Sequence, residues 1–304
     1  MPLLQEDSGK LSVISRIEFA TERELQRLIE SNLEEVFGCN FVATEFSTGN
    51  VHSGRIDTLA LSEDRNPVII EYKKVENSNL VTQGLFYLDW IKDHKGDFEL
   101  TVQRTLGDVE VDWSHIRVIC IAPSFDKYSL HAVKHMGTGL ELWQYHRYAN
   151  GVLEIEEIFR GSEPQRNKDQ KPTKKLSDNQ EVQDAKPTYS YEDHLAKADE
   201  NTKYLVNSLT EYIASLDDSI AEVPQKFYIA YKLAKNLACV EVHRKKVVAF
   251  LNLTYVRGMP TIARDVSNIG HYGTGKLEVT VTTNADLETA FQLIKESYLA
   301  SGGN

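Results

Sequence analysis

GRIDTLALSEDRNPVIIEYKK, residues 54–74, is the stretch that decides the fold of this chain. Two apolar, strand-like runs, 55–61 and 67–73, flank the polar stretch Ser62 to Asn66, which has the composition of a hairpin turn. Asp57 lies inside the first run, and Glu71 and Lys73 close the second. Side chains alternate along a strand, so Glu71 and Lys73 share one face while Tyr72 takes the other. Pairing across the hairpin brings Asp57 to that same face. Two carboxylates and an ammonium then meet at one end of an otherwise apolar sheet, which is costly unless something binds there. A divalent cation suits the acids, because hard oxygen ligands take magnesium or manganese.

Upstream, the alternation in LSVISRIEF within residues 1–18 predicts a short strand. Thr21-Glu22-Arg23-Glu24 has the capping-box pattern, and Leu25, Leu28, Ile29, Leu33 and Val36 follow at helical spacing until Gly38, a helix stop. FVATEFS, residues 41–47, predicts a strand that the polar loop TGNVHSG joins to the hairpin. Downstream, Leu80, Val81, Leu85, Leu88 and Ile91 predict a helix over about 79–93. IRVICIA at 116–122 has the continuous apolar, β-branched character of a buried strand. Residues 126–136 predict a helix, and ELWQY from 141 and LEIEEIF from 153 predict two more strands. Helix, hairpin, helix and strand in that order suit an α/β sandwich with a central mixed sheet.

The character of the chain changes at 161–187, where Leu176, Val182 and Ala185 are nearly the only apolar residues among Lys, Asp, Gln, Asn and three prolines. That composition predicts a flexible polar linker between a first domain, 1–160, and a second, 188–304. In the second, YEDHLAKADENTKYLVNSLTEYIASL predicts one or two helices and KFYIAYKLAKNLACVEVHRKKVVAFLNL predicts paired strands with His243-Arg244-Lys245 near the turn. KLEVTVTT alternates as a strand, and NADLETAFQLIKESYL is a capped helix. The expected class there is α+β.

Asp57, thirteen intervening residues, then Glu71-x-Lys73 on a hairpin resembles the core of the PD-(D/E)xK nuclease superfamily, the restriction-endonuclease-like fold. The wider stretch from ERELQ at 22 to GLFYLDW at 84 resembles its NucS-like and archaeal Holliday-junction-resolvase branches, and the whole chain resembles bacterial proteins that append a DUF5655-type domain. Gly-Arg-Ile stands before Asp57 in place of the proline of the superfamily name, which leaves the expected ligands untouched. The resemblance implies a Mg²⁺- or Mn²⁺-dependent endonuclease that hydrolyses DNA phosphodiester bonds in defence or repair, often as a homodimer. Asp57 and Glu71 are then metal ligands, and Lys73 positions the attacking water. The first helix is expected to add an acid: the resemblance favours Glu22, with Glu24 (also third in the capping box) and Glu30 as alternatives. Gln83 and Tyr87, four apart on one helix face, are expected to hold Lys73 or a phosphate oxygen. His52, Arg55 and Lys74 border the site, and Arg55 has the fork to clamp a phosphate. The competing reading is a silent nuclease-like module that binds nucleic acid or a partner without cutting.

Bulk properties narrow the rest. The 304 residues carry 34 Lys and Arg against 45 Asp and Glu, a net charge of −11, which disfavours tight, non-specific DNA binding, since phosphate neutralisation supplies much of that affinity. No apolar run is long enough to span a bilayer and MPLLQEDSGK lacks a signal-peptide pattern, so the expected location is cytoplasmic. Cys39, Cys120 and Cys239 have no zinc spacing and read as buried thiols. His243-Arg244-Lys245-Lys246 has the composition of an anion patch or a soluble hairpin tip. The glycine-rich 270–275 precedes a strand, where a phosphate cradle needs a helix.

Overall fold

The computed structural model describes residues 2–49, 53–136, 139–161 and 189–303. The chain divides into two units, one of Met1–Asn32, Phe41–Leu61 and Arg65–Lys186, the other of Leu33–Asn40, Ser62–Asp64 and Pro187–Asn304. The expected linker, 161–187, lies outside the described residues apart from Gly161.

In the first unit, strands β1 (Leu4–Asp7) and β2 (Lys10–Val13) form a two-stranded hairpin, and β3 (Arg16–Ile17) joins the main sheet. The expected first helix is split into α1 (Glu22–Glu30), which belongs to this unit, and α2 (Leu33–Phe37), which belongs to the other. Ser31 caps α1 and its N–H returns to the Arg27 carbonyl at 3.1 Å, and Gly38 ends α2 at φ +60°, a left-handed conformation that glycine adopts without steric cost. Strand β4 (Cys39–Ser47) precedes the hairpin of β5 (Arg55–Ser62) and β6 (Pro67–Tyr72), in which Thr58 faces Ile70 and Leu61 faces Pro67.

Helix α3 (Leu80–Asp93) then covers the sheet. It lies close because Gly84 has no side chain: a Cβ there would come within 2.7 Å of Val118 Cγ1. Helix α4 (Lys95–Leu106) follows directly, an element the sequence reading did not place. Strand β7 (Arg117–Ala122), buried at every position, runs parallel to β6 and to β8 (Leu140–Tyr148). Between β7 and β8 comes α5 (Lys127–Ala132), continued by one 3₁₀ turn, and β9 (Leu153–Arg160) pairs antiparallel with β8. The seven-stranded sheet has the order β3-β8-β7-β6-β5-β4, with β9 also on β8, and is mixed as expected. Its core gathers Ile56, Leu59, Ile69, Trp90, Ile91, Phe98 and Val118. The unit is the α/β sandwich with a central mixed sheet that a restriction-endonuclease-like fold implies.

The second unit is α+β. After α6 (Tyr191–Leu195) and α7 (Glu200–Leu216), six strands follow: β10 (Ala221–Pro224), β11 (Ile229–Lys232), β12 (Asn236–Val242), β13 (Val247–Leu251), β14 (Ala263–Asp265) and β15 (Leu277–Val281). They form an antiparallel sheet in the order β10-β11-β12-β13-β15-β14. Leu205, Leu209 and Ile213 of α7 and Leu293 and Ile294 of α8 (Asn284–Ala300) share a core with Val240, Ala249 and Val279. The Thr283–Asp286 capping box starts α8, and His243 to Lys246 form the β12–β13 turn, with the His243 N–H on the Lys246 carbonyl at 3.0 Å. The three cysteines are buried, as expected. Among the described residues no helix is long and apolar enough to cross a membrane.

Candidate active site

The hairpin register, carried one step past Thr58 opposite Ile70, sets Asp57 against Glu71. The Asp57 N–H donates to Glu71 Oε1 at 3.1 Å, and the Tyr72 N–H donates to Asp57 Oδ2 at 3.1 Å. Each acid is therefore held by the backbone of the opposite strand. Gln83, on α3, donates from Nε2 to Glu71 Oε2 at 2.6 Å, and Glu71 is fully buried. Burial, then the neighbouring charge of Asp57, pushes the Glu71 carboxyl up to about 9. Burial also raises Asp57, against the pull of the Tyr72 N–H and of Lys73. Two acids this close in a poorly solvated site resist joint ionisation.

Lys73 directs its ammonium to Glu22 Oε1 at 3.1 Å and to the Tyr72 carbonyl at 2.9 Å. The other Glu22 oxygen accepts from the Lys74 N–H at 3.2 Å. Of the three helix acids, Glu22 alone reaches this strand end. Glu24 accepts from the Ala20 N–H at 2.9 Å and pairs with Arg147 at 2.7 Å. Glu30 takes the hydroxyl of Thr58 at 2.7 Å and the amide of Gln26 at 3.0 Å.

Other expected members are placed differently. Gln83 holds Glu71 and not Lys73. The Tyr87 hydroxyl accepts from the Arg55 N–H at 3.1 Å and donates to the Arg55 carbonyl at 2.9 Å, which fixes the start of β5 without touching Lys73. The Arg55 guanidinium, 68% exposed at its side chain, pairs with Glu45 at 2.5 Å. Lys74 reaches the Ala20 carbonyl at 3.1 Å. His52 lies outside the described residues.

Two residues escaped the sequence reading. Gln26, only 3% exposed, donates to the Asp57 carbonyl at 2.7 Å and to Thr44 Oγ1 at 3.1 Å, and so ties α1 to the strand that carries Asp57. Its place between Leu25 and Ile29 on the buried helix face was the available signal. Glu45 bridges Arg55 and Arg23, the latter at 2.6 Å, from a backbone at φ +51° inside β4. Nothing in the sequence announces that backbone.

Among the described residues no three of His, Cys, Asp and Glu are gathered to hold a metal ion. Asp57 and Glu71 nevertheless fit magnesium or manganese. Such ions take one or two protein carboxylates and keep water in their other positions, and a cation beside this pair offsets its mutual repulsion.

Residues 191–301 match the family described as "Domain of unknown function (DUF5655)". An uncharacterized protein of Haemophilus influenzae is 32% identical over 304 residues, covering 98% of this chain and 99% of the other. Among solved structures, the EndoMS–dsDNA2 complex matches with 21% identity and a TM-score of 0.26 over 46% of this chain and 49% of that one. A repair endonuclease from Pyrococcus abyssi matches with 19% identity and a TM-score of 0.25 over 43% and 49%. The chain thus spans about half the length of those two proteins.

Proposed function

The chain belongs to one family with the uncharacterized Haemophilus influenzae protein along its length, and we propose that it is a metal-dependent nuclease hydrolysing DNA phosphodiester bonds. The observation that carries this reading is the pairing of half-buried Asp57 with fully buried Glu71, with Lys73 beyond it at the end of β6. Asp57 and Glu71 are the residues that hold Mg²⁺ or Mn²⁺. When bound, such an ion polarises the scissile phosphate and lowers the pKa of an attacking water. Gln83 keeps Glu71 in one orientation through its 2.6 Å hydrogen bond. Lys73 supplies a positive charge for the phosphate oxygens, and Glu22 holds that charge in place at 3.1 Å. Tyr87 and Gln26 brace the strand of Asp57 through the Arg55 backbone and the Asp57 carbonyl. Defence against foreign DNA or repair, a homodimer addressing two strands, and a cytoplasmic setting complete the reading.

The second reading is a module that binds without cutting. The Lys73–Glu22 ion pair and the net charge of −11 favour it, since both reduce the positive charge offered to a phosphate. Incubation of the purified chain with labelled single-stranded, duplex and branched DNA in Mg²⁺ or Mn²⁺ separates the two. Cutting that disappears in Asp57→Asn, Glu71→Gln and Lys73→Ala supports the nuclease. Equal cutting by the variants means a contaminant, and binding with no cutting on any substrate supports the second reading.

A further inference from the structure

A cavity of about 480 Å³ opens beside the C-terminal end of α3, between the end of β4 and α4. Its lining includes Phe46, Trp90, His94, Asp97, Leu100 and Arg104. The volume lies in the range of small-molecule sites. One side is aromatic: the Trp90 and His94 rings stack at 4.6 Å and 10°, and Phe46 tilts against Trp90 at 5.6 Å. The Trp90 indole N–H is fixed on the Thr48 carbonyl at 3.1 Å, and His94 Nδ1 lies 2.8 Å from the Trp90 carbonyl, so both rings are set before any ligand arrives. The other side carries charge. Asp97 and Arg104 stand seven apart on α4, which places them on one helix face, and both are exposed.

We propose that this cavity is a nucleotide site: the aromatic wall takes the base, Asp97 accepts from an exocyclic amine of that base, and Arg104 holds the phosphate. Trp90 is only 2% exposed and backs the half-buried rings of His94 and Phe46, so those two rings are the stacking partners for a planar base, and a guanidinium is the side chain best matched to phosphate. An aromatic amino acid offers a ring, an amine and an acid as well. The position in the fold decides for the nucleotide. Gln83, Tyr87, Trp90 and His94 follow one another at spacings of four, three and four along α3, so one helix face runs from Glu71 to the cavity. Gln83 and Trp90 are separated by about 10 Å at 1.5 Å per residue, a distance of a few nucleotides along a strand. The cavity wall is also tied to the hairpin. Thr48 Oγ1 accepts from the Gly54 N–H at 2.8 Å and donates to the Gly54 carbonyl at 3.0 Å, three residues before Asp57. That a strand being cut is the source of the nucleotide rests on the nuclease reading; the chemistry of the cavity does not.

The test is calorimetric titration of the full chain with deoxyadenosine monophosphate. Saturable binding is expected, equal in wild type and Glu71→Gln, and weakened by about tenfold or more in Arg104→Glu through loss of the charged contact. His94→Ala weakens it severalfold, and deoxyribose 5-phosphate, which lacks the base, binds far more weakly than the nucleotide. Absence of saturation up to ~10 mM, equal affinity in the variants, or tighter binding of L-tryptophan overturns the proposal. A hexanucleotide that competes through Arg104 assigns the site to a substrate strand, and one that does not assigns it to a free nucleotide; either keeps the site. Nucleotide binding without DNA cutting leaves the cavity standing and removes the nuclease, while cutting with no nucleotide binding does the reverse.

Discussion

Asp57 and Glu71 face one another across β5 and β6, the N–H of one residue on the carboxylate of the other at 3.1 Å. That N–H favours an ionised Glu71, but burial and the charge of Asp57 outweigh it, so the two acids coexist at low cost only while Glu71 keeps its proton or a cation shares its charge. Glu71 has an ordinary value of 4.5 and stands at about 9 in the fold, through burial and then the charge of Asp57. A raised carboxyl binds its proton more tightly folded than unfolded. Its stabilisation is therefore complete below 4.5 and is lost as pH climbs toward 9.

Urea denaturation in EDTA, followed from pH 5 to 8, is expected to show wild-type stability falling by up to about 1.4 kcal/mol per pH unit from this group. Glu71→Gln has no such proton, and its stability is expected to fall less steeply. Millimolar Mg²⁺ is expected to raise the wild-type midpoint more at pH 8 than at pH 5, and to leave Glu71→Gln nearly unmoved. Parallel profiles for the two proteins sink this account of the pair.

Gln26 supplies a second prediction. Gln26→Leu leaves the Asp57 carbonyl, Thr44 and Glu30 without the amide that now lies within 3.1 Å of each. A buried acceptor left without its donor costs about 1–3 kcal/mol, so the urea midpoint is expected to drop accordingly. Gln26→Glu places a carboxylate against three acceptors and is expected to be worse than Gln26→Leu. The reverse order argues that packing, and not hydrogen bonding, sets the role of this residue.

The central hairpin was legible because alternation, turn composition and two acids all indicate one register, and a slip by one residue would send every side chain to the wrong face. Helix α4 was not. Its apolar positions Phe98, Val102 and Leu106 keep helical spacing, but the polar opening His94-Lys95-Gly96-Asp97 reads as loop and Leu100 is 51% exposed. With that helix went the cavity it lines. Strands β10 and β14, of four and three residues, are too short to carry a periodic signal. Among the helix acids the sequence left a choice that only backbone placement makes: Glu24 is drawn to Ala20 and Arg147, and Glu30 to Thr58, which leaves Glu22 for Lys73.

Arg117 and Glu141 form a buried ion pair at 2.8 Å, and the Trp143 indole donates to the same carboxylate at 3.0 Å. Burial alone raises the Glu141 carboxyl, but the charges of Arg117 and Arg160 overcome it and hold the group well below the usual range. A depressed carboxylate contributes stability that is present above 4.5 and lost as pH falls below it. Arg117→Met is expected to cost about 3–5 kcal/mol at pH 7, because Glu141 is left charged in the sheet. Adding Glu141→Leu is expected to recover much of that loss. Failure of the double variant to recover shows that the pair matters through shape and not charge.

Glu45 carries the last prediction. It holds Arg23 at 2.6 Å and Arg55 at 2.5 Å beside the acid pair, from a left-handed backbone that a glutamate seldom adopts. Asparagine tolerates that conformation better, so Glu45→Asn relieves strain while it removes one negative charge and releases two guanidinium groups. Arg55 and Arg23 are 68% and 44% exposed at their side chains, so the lost ion pairs are expected to change stability little. DNA affinity is expected to rise severalfold at low salt, and the slope of log K against log salt to steepen by about 1 to 2, as freed arginines displace counterions from phosphates. Fluorescence anisotropy on a labelled duplex from 50 to 200 mM NaCl measures both effects. An unchanged slope means that the strand does not pass these arginines, and a weaker affinity means that Glu45 is needed to aim them.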